Sequence, residues 1–544
     1  MAFIGQLQRV HEIAARAATT PALPIRPRHP EDGLDASLLA RLRPSAWTNP
    51  QPHGRYDLLV VGGGAAGVAA AEHAASSGVR VALATDEPLG LDVLADGLPR
   101  AVLLRSAAQV CQIRRAAATS WPDARLGRLD FASLAEQLSA ARQEAADRYA
   151  AQTLAERGIA VHLGPLVFSG PNCLKVAGQP LGFSRAVLAP VPRTAVPEIE
   201  GLEDLGFHTP ETLGMLTQLP RRWAIVGSST VACELAQAFR RLGSAVDLII
   251  PESRLLAEHE AVIGELMARQ FAADGIEVHC GWTCLRSQRT GAAKSLVIGR
   301  GGQLKKLLAD EILIAGERRC ELGWLRLGAA GIAVDEAGIQ ADECLRTSNP
   351  RVFAIGPGNV SDALAGEAVE GLARLAVGNA LSWRGRTTHD LLLAPRWLRT
   401  DPLVCWLGHG TTRSVTSWGD RREGSQADDI TSQAFPLPPE AAAGVGLTMF
   451  NGGTVLDGGS SLGGTAMGGA PSGWLVLRVA EHHRRVVGAT VLGPAARDLV
   501  APLTAMLAGR SHASGILKAL WPRGNSAAPS EPAWLGRLVE EALA

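Results

Sequence analysis

The sequence predicts an α/β fold built on two strand–turn–helix–strand units, and three stretches carry that reading. In the first, a buried strand, Tyr56 to Val61, runs into Gly62-Gly63-Gly64-Ala65-Ala66-Gly67, an alanine-rich helix and a second strand, Val79 to Thr85. In the second, Trp223 to Gly227 leads into Gly227-Ser228-Ser229-Thr230-Val231-Ala232, a helix over Cys233 to Leu242 and a strand from Val246 to Ile250. The third is C-terminal: Trp474 to Leu477 and Val486 to Leu492 read as paired strands, and Val500 to Leu507 as a helix with one apolar face.

The first unit has the chemistry of a dinucleotide cradle, because the glycine motif follows a strand and opens a helix. Gly62 permits the tight turn, Gly64 the approach of a pyrophosphate, and Gly67 close packing of helix on strand. The helix N-terminus beyond Ala65 and Ala66 offers N–H groups to an anion. An acid normally ends the second strand and holds ribose hydroxyls. Thr85 stands there, followed by Asp86. Asp86 is either its substitute after a one-residue shift or a solvated turn residue, and both readings stay open.

Between these units, residues 131 to 160 read as one long helix, with short strands at Ala160 to Leu163 and Ala186 to Ala189. Residues 19 to 55 hold many prolines and read as an extended arm. Phe3, Ile4, Leu7, Val10 and Ile13 give Met1 to Ala18 a helical apolar spacing, best read as a surface helix. Asn451 to Gly469 is dense in Gly, Ser and Thr and reads as a loop.

Composition excludes several classes. The 544 residues suffice for several domains. Lys and Arg total 53, as do Asp and Glu, so no net charge favours nucleic acid or an anionic membrane. No apolar run is long enough to span a bilayer, and no signal-type block opens the chain, so a cytoplasmic location is expected. Eight scattered cysteines without a CxxC are not a disulfide scaffold. Cys280 and Cys284 read as ordinary buried thiols, with no His or third Cys at metal spacing. His482 and His483 read as solvated turn residues, so no metal site is expected. The motifs G-x-S-x-G, HExxH and Walker A are absent.

Leu89 to Ala107, reading LGLDVLADGLPRAVLLRSA, resembles the active-site segment of the flavoprotein pyridine nucleotide-disulfide oxidoreductases, the family of mercuric reductase and dihydrolipoamide dehydrogenase. There the pattern is roughly GGTCxNxGCxPSKxLLxxA. This chain keeps the Gly, the Pro and the Leu-Leu-Arg tail. Val93 stands at the first cysteine, the second is deleted or replaced by Leu98, and Ala101 stands at the lysine. Trp47 to Asp57 resembles the lead-in of a mercuric-reductase-like subgroup, Pro197 to Leu202 a family linker, and Leu345 to Gly356 the return to the flavin domain. Thr400-Asp401-Pro402 and Val486 to Gly493 resemble the interface domain.

The resemblance implies two Rossmann-like FAD/NAD(P)-binding domains, one inserted in the other, and a C-terminal α+β dimerisation domain. The expected boundaries are 1–55 for helix and arm, 56–218 with 345–394 for the FAD-like domain, 219–344 for the NAD(P)-like domain, and 395–544 for dimerisation. It implies FAD on Gly62 through Gly67, Thr85 or Asp86, and Gly356. Departures accompany each site. Ala189-Pro190-Val191 replaces an ATG turn, and Pro190 has no N–H. Gly356-Pro357 replaces a Gly-Asp motif, with Asn359 and Asp362 out of register. Ser229 and Ile250 disfavour NAD(P)H, Arg254 matches a structural position, and Glu317 to Glu321 replaces a GRxPN-like turn. Arg523 stands at the catalytic His or Tyr, with Glu531 displaced.

No catalytic residue is therefore assigned. Thiol exchange needs a thiolate, which Val and Leu cannot supply. The leading expectation is a degenerate flavoprotein acting as a binding or regulatory partner. The alternatives are an active FAD-dependent oxidoreductase without a redox disulfide, and a partner protein without cofactor. A homodimer is expected, with a heterodimer with an active paralogue as the competing assembly.

Overall fold

Tyr56–Val61 (β1) and Val81–Thr85 (β2) lie side by side in parallel, separated by the helix Ala65–Ser76 (α1). The structure, a computed structural model, describes residues 33–52, 54–120, 129–335, 338–356, 366–382, 394–408, 430–437, 473–480, 485–494 and 496–508. The expected N-terminal helix, Pro357, Asn359, Asp362, Asn451 to Gly469, His482, His483, Arg523 and Glu531 lie outside them.

Around β1 a sheet assembles in the order Ala160–Leu163, β2, β1, Gln179–Leu188 (β3). The second half of β3 runs parallel to β1, and Val352–Ala354 pairs on its other side. The first half of β3 turns back into an antiparallel meander with Cys173–Val176 and Leu166–Gly170. β1 and β2 are buried on both faces, as their continuous apolar runs require. The second unit repeats the plan. Arg222–Val226 (β4), the helix Thr230–Leu242 (α2) and Ala245–Ile250 (β5) form a four-stranded parallel sheet with Ile276–Cys280 and Glu311–Ile314. A three-stranded antiparallel sheet over residues 283–309 packs on it.

The described residues form two compact units, and both parallel sheets lie in the first. The second unit holds Glu258–Ile263 and the described residues after 390. It is an antiparallel sheet in the order Arg396–Leu398, Val404–Gly408, Arg485–Leu492, Gly473–Ala480, Ile430–Leu437, with the helix Ala496–Ala508 packed on it. Trp474 opposes Leu492, and Leu477 opposes Ala489, so the expected hairpin forms. Buried Arg478 crosses this unit, ion-paired to Glu260 and donating to the carbonyls of Leu407 (2.8 Å) and Ala489 (3.0 Å).

Three local expectations need correction. The proline-rich arm contains a helix, Ala36–Leu42, whose N-cap Asp35 accepts from Leu38 N–H and whose Leu38 and Leu42 are buried. The long helix is broken into Phe131–Tyr149 and Ala151–Glu156 by an extended Ala150. Alanine gives no local signal for that break. Beside the break, the ring of Tyr149, the last residue of the first helix, packs on Gly90 where any Cβ would sit. The C-terminal helix expected over Val500 to Leu507 begins instead at Ala496, which places Pro502 in its interior.

Candidate functional site

The motif residues Gly62 to Gly67 form the turn between β1 and α1. Gly62 has φ +120°, and a Cβ there or on Gly67 would collide with the carbonyls of Ala189 or Gly62. Gly63 accepts from Gly90 N–H at 2.7 Å, and Gly64 is the N-cap of α1 without a side chain to cap it. The first-turn donor is nonetheless engaged. Ala65 N–H points at both carboxylate oxygens of Asp92, at 3.0 and 3.1 Å. A Cβ on Gly64 would lie 2.9 Å from Asp92 Oδ2 and 2.8 Å from Val191 Cγ2. The space that lets a pyrophosphate approach is thus held by the chain's own anion. Ala66 follows in the first turn of α1.

Asp92 is placed by a π-helical turn, Asp92–Gly97, that opens the long helix Leu98–Ser120 (α3). This is the segment that resembles the thiol site. Val93 and Leu98 lie half-buried in it and Ala101 is exposed. Arg142, itself buried, fixes the turn by donating to the carbonyls of Leu94 and Gly214, each at 2.9 Å.

Four residues beyond Asp92, Asp96 enters a buried charge cluster. Arg100 Nε lies 3.2 Å from Asp96 and its Nη1 2.9 Å from Glu234 on α2. Arg318 Nη1 is 3.2 Å from the other Asp96 oxygen. The Asp96 and Glu234 side chains are each 2% exposed. Burial works against the Asp96 charge, but Arg100 and Arg318 overcome it and hold the acid below the ordinary carboxylate range. Two acids and two guanidinium groups thereby cancel one another where the family resemblance implies sulfur chemistry.

The ribose end is equally self-contained. Thr85 is buried, and its hydroxyl bonds the Glu87 backbone, N–H and carbonyl both at 3.1 Å. Asp86 and Glu87 line a cleft with Pro190, Arg193 and Trp324. Glu87 pairs with Arg193 at 2.7 Å, and burial raises both acids above their ordinary values. Gly356 lies against the Pro190 ring. As arranged, these residues do not fit the FAD pyrophosphate, which would need the Ala65 N–H and the space over Gly64 that Asp92 holds.

The second strand–turn–helix, built on β4 and α2, caps its helix in a parallel way. Ser229 accepts from Ala232 N–H at 3.1 Å and donates to the Ala315 carbonyl at 2.6 Å. Ser228 donates to Glu252 at 2.9 Å, so an acid does stand near this turn, two residues beyond buried Ile250. Arg254 donates to the carbonyls of Leu256 and Ala257, a structural role.

All eight cysteines are free thiols. Burial pushes Cys233, Cys284 and Cys405 up to about 12 and raises Cys280. These groups are poor sources of thiolate. Asp247, Glu277 and His279 come together on adjacent strands, but His279 Nε2 lies 2.7 Å from Asp247 and the pair satisfies itself. Asp92, Asp96, Arg100 and Glu234 were not singled out from sequence. The available signal was two acids four residues apart in an otherwise apolar segment, followed by an arginine.

Residues 56–370 match the family profile described as pyridine nucleotide-disulphide oxidoreductase. Mercuric reductase from Staphylococcus aureus is 28% identical over 358 residues, 65% of this chain and 65% of that protein. The chain thus spans just under two thirds of that relative's length. Mercuric reductase from Acidithiobacillus ferrooxidans is 30% identical over 403 residues, 70% of this chain and 69% of that one. Among solved structures, the HOCl-induced flavoprotein disulfide reductase RclA from Escherichia coli superposes with a TM-score of 0.66 at 20% identity, over 89% of this chain and 99% of that one. That likeness shows the shared fold. No helix among the described residues is long and apolar enough to cross a membrane.

Proposed function

The chain belongs to the pyridine nucleotide-disulphide oxidoreductase family, and from that premise we propose that it is a member without disulfide chemistry that serves as a binding or regulatory partner. One observation carries the reading. The segment that would present two cysteines contributes instead Asp96 and Arg100 to a buried, charge-balanced cluster with Arg318 and Glu234. No member of that cluster can form a mixed disulfide or hold Hg²⁺ between thiolates. Guanidinium groups do not lose a proton in proteins, so the arginines supply no general base either.

The experiment is NADPH- or NADH-driven reduction of Hg²⁺, lipoamide and glutathione disulfide by the full chain, with and without added FAD. No turnover above the protein-free rate is expected. Turnover within the ordinary enzyme range of about 1–10³ s⁻¹ would overturn the reading. The glycine motif at Gly62 to Gly67 favours a second reading, an oxidoreductase using flavin alone. Bleaching of a bound flavin by NADPH or NADH, without disulfide reduction, would decide for it.

A further inference from the structure

We propose that Asp92 is a built-in anion that takes the place of the cofactor pyrophosphate, so that this chain folds and works without FAD. The inference goes beyond the proposed function, which is silent on whether a flavin is held.

The argument begins at the α1 N-terminus. A helix start leaves unpaired N–H groups and a partial positive charge. In a dinucleotide fold the pyrophosphate satisfies both. Here the Asp92 carboxylate does so, receiving Ala65 N–H on both oxygens. It also receives Val93 N–H at 3.0 Å, which ties the carboxylate to the π-helical turn that carries it. The turn cannot simply swing aside. Arg142 holds its Leu94 carbonyl, and Asp96 is locked to Arg100 and Arg318. Asp92 is therefore held at both ends of its own turn.

A pyrophosphate entering this place would meet a carboxylate in contact range over Gly64, with Val191 Cγ2 on the other side. Two anions would compete for one N–H and repel each other in a partly desolvated site. The second unit follows the same plan with a neutral group, since Ser229 caps α2 from within the chain. Both helix starts are thus capped from within the chain, α2 by its N-cap Ser229 and α1 by Asp92.

The test uses the full chain purified without added flavin, then titrated with FAD by fluorescence and with inorganic pyrophosphate by calorimetry. The parent chain is expected to be colourless and to show no saturable uptake of either. Asp92→Ala removes the blocking carboxylate and is expected to bind pyrophosphate saturably, roughly tenfold or more tightly than the highest affinity the titration of the parent leaves open. Asp92→Asn keeps the shape and removes the charge, and is expected to fall between them. A parent chain carrying stoichiometric flavin overturns the inference, as does equal pyrophosphate binding by all three proteins. If Asp92→Ala does not fold, the parent's flavin content and Asp92→Asn still decide. A parent that carries FAD but reduces neither Hg²⁺ nor disulfides ends this inference and leaves the proposed function standing. Disulfide turnover by a flavin-loaded chain ends both.

Discussion

Asp92 illustrates how one side chain alters the meaning of a motif. Its carboxylate is desolvated by its surroundings, and burial raises its pKa above the ordinary 3.8, although the Ala65 N–H and Arg318 favour the charged form. The sign of the linkage follows. A group raised on folding contributes stability that is complete below its unfolded value and is lost as pH rises through its folded value. Asp92→Asn has no such limb. The stability of that variant relative to the parent is therefore expected to increase as pH rises above about 3.8, and to level off above the folded value. Thermal unfolding of both proteins across that window measures it. A difference that does not change with pH would mean the carboxylate is not desolvated as described. Asp96 has the opposite sign, held low by Arg100 and Arg318.

At the scale of elements, the π-helical turn Asp92–Gly97 and the start of α3 tie the first parallel sheet to α2 of the second. Removing one member of a buried ion cluster leaves an uncompensated charge, which typically costs about 3–5 kcal/mol. Asp96→Ala is expected to lose stability of that order in urea unfolding. Asp96→Leu combined with Arg318→Met is expected to recover part of it, because no orphaned charge remains on that side. A loss below about 1 kcal/mol would place the cluster with exposed pairs. Gly90 offers an independent check. It has φ +68° and Tyr149 packed where its Cβ would lie. Gly90→Ala is expected to cost roughly 1–3 kcal/mol through strain and overpacking. An unchanged unfolding midpoint would show that neither the positive φ nor the Tyr149 ring constrains this position.

At the scale of the whole molecule, loss of the thiol pair removes nothing that an assembly face requires. The paired strands Gly473–Ala480 and Arg485–Leu492 and the helix Ala496–Ala508 are all formed, around a core of Leu475, Val476, Leu477 and Val491. We expect a homodimer built on the second compact unit, with an obligate interface of roughly 2,000–5,000 Å². Light scattering at micromolar concentration measures it. A monomer that pairs only with a second reductase-like chain would instead favour the heterodimer.

The sequence by itself determined the strand–turn–helix units, because burial on both faces of β1 and β4 demands continuous apolar runs and the turn at Gly62 demands a residue tolerant of positive φ. It determined the missing thiols outright, since no geometry can restore a sulfur to Val93 or Leu98. The lead-in Trp47 to Asn49 was legible too, and the fold shows its use: Trp47 donates to the Val161 carbonyl and Asn49 bridges the Leu163 backbone in both directions. Only the tertiary structure decided what stands in the cradle. Asp92 is 27 positions from Ala65, and Glu234 is 134 from Arg100. Local propensity carries no information across such separations. The break at Ala150, the helix inside the proline-rich arm, and the pairing of Glu87 with Arg193 have the same origin. Each depends on which surfaces meet after the chain has packed, and burial and charge then decide the outcome.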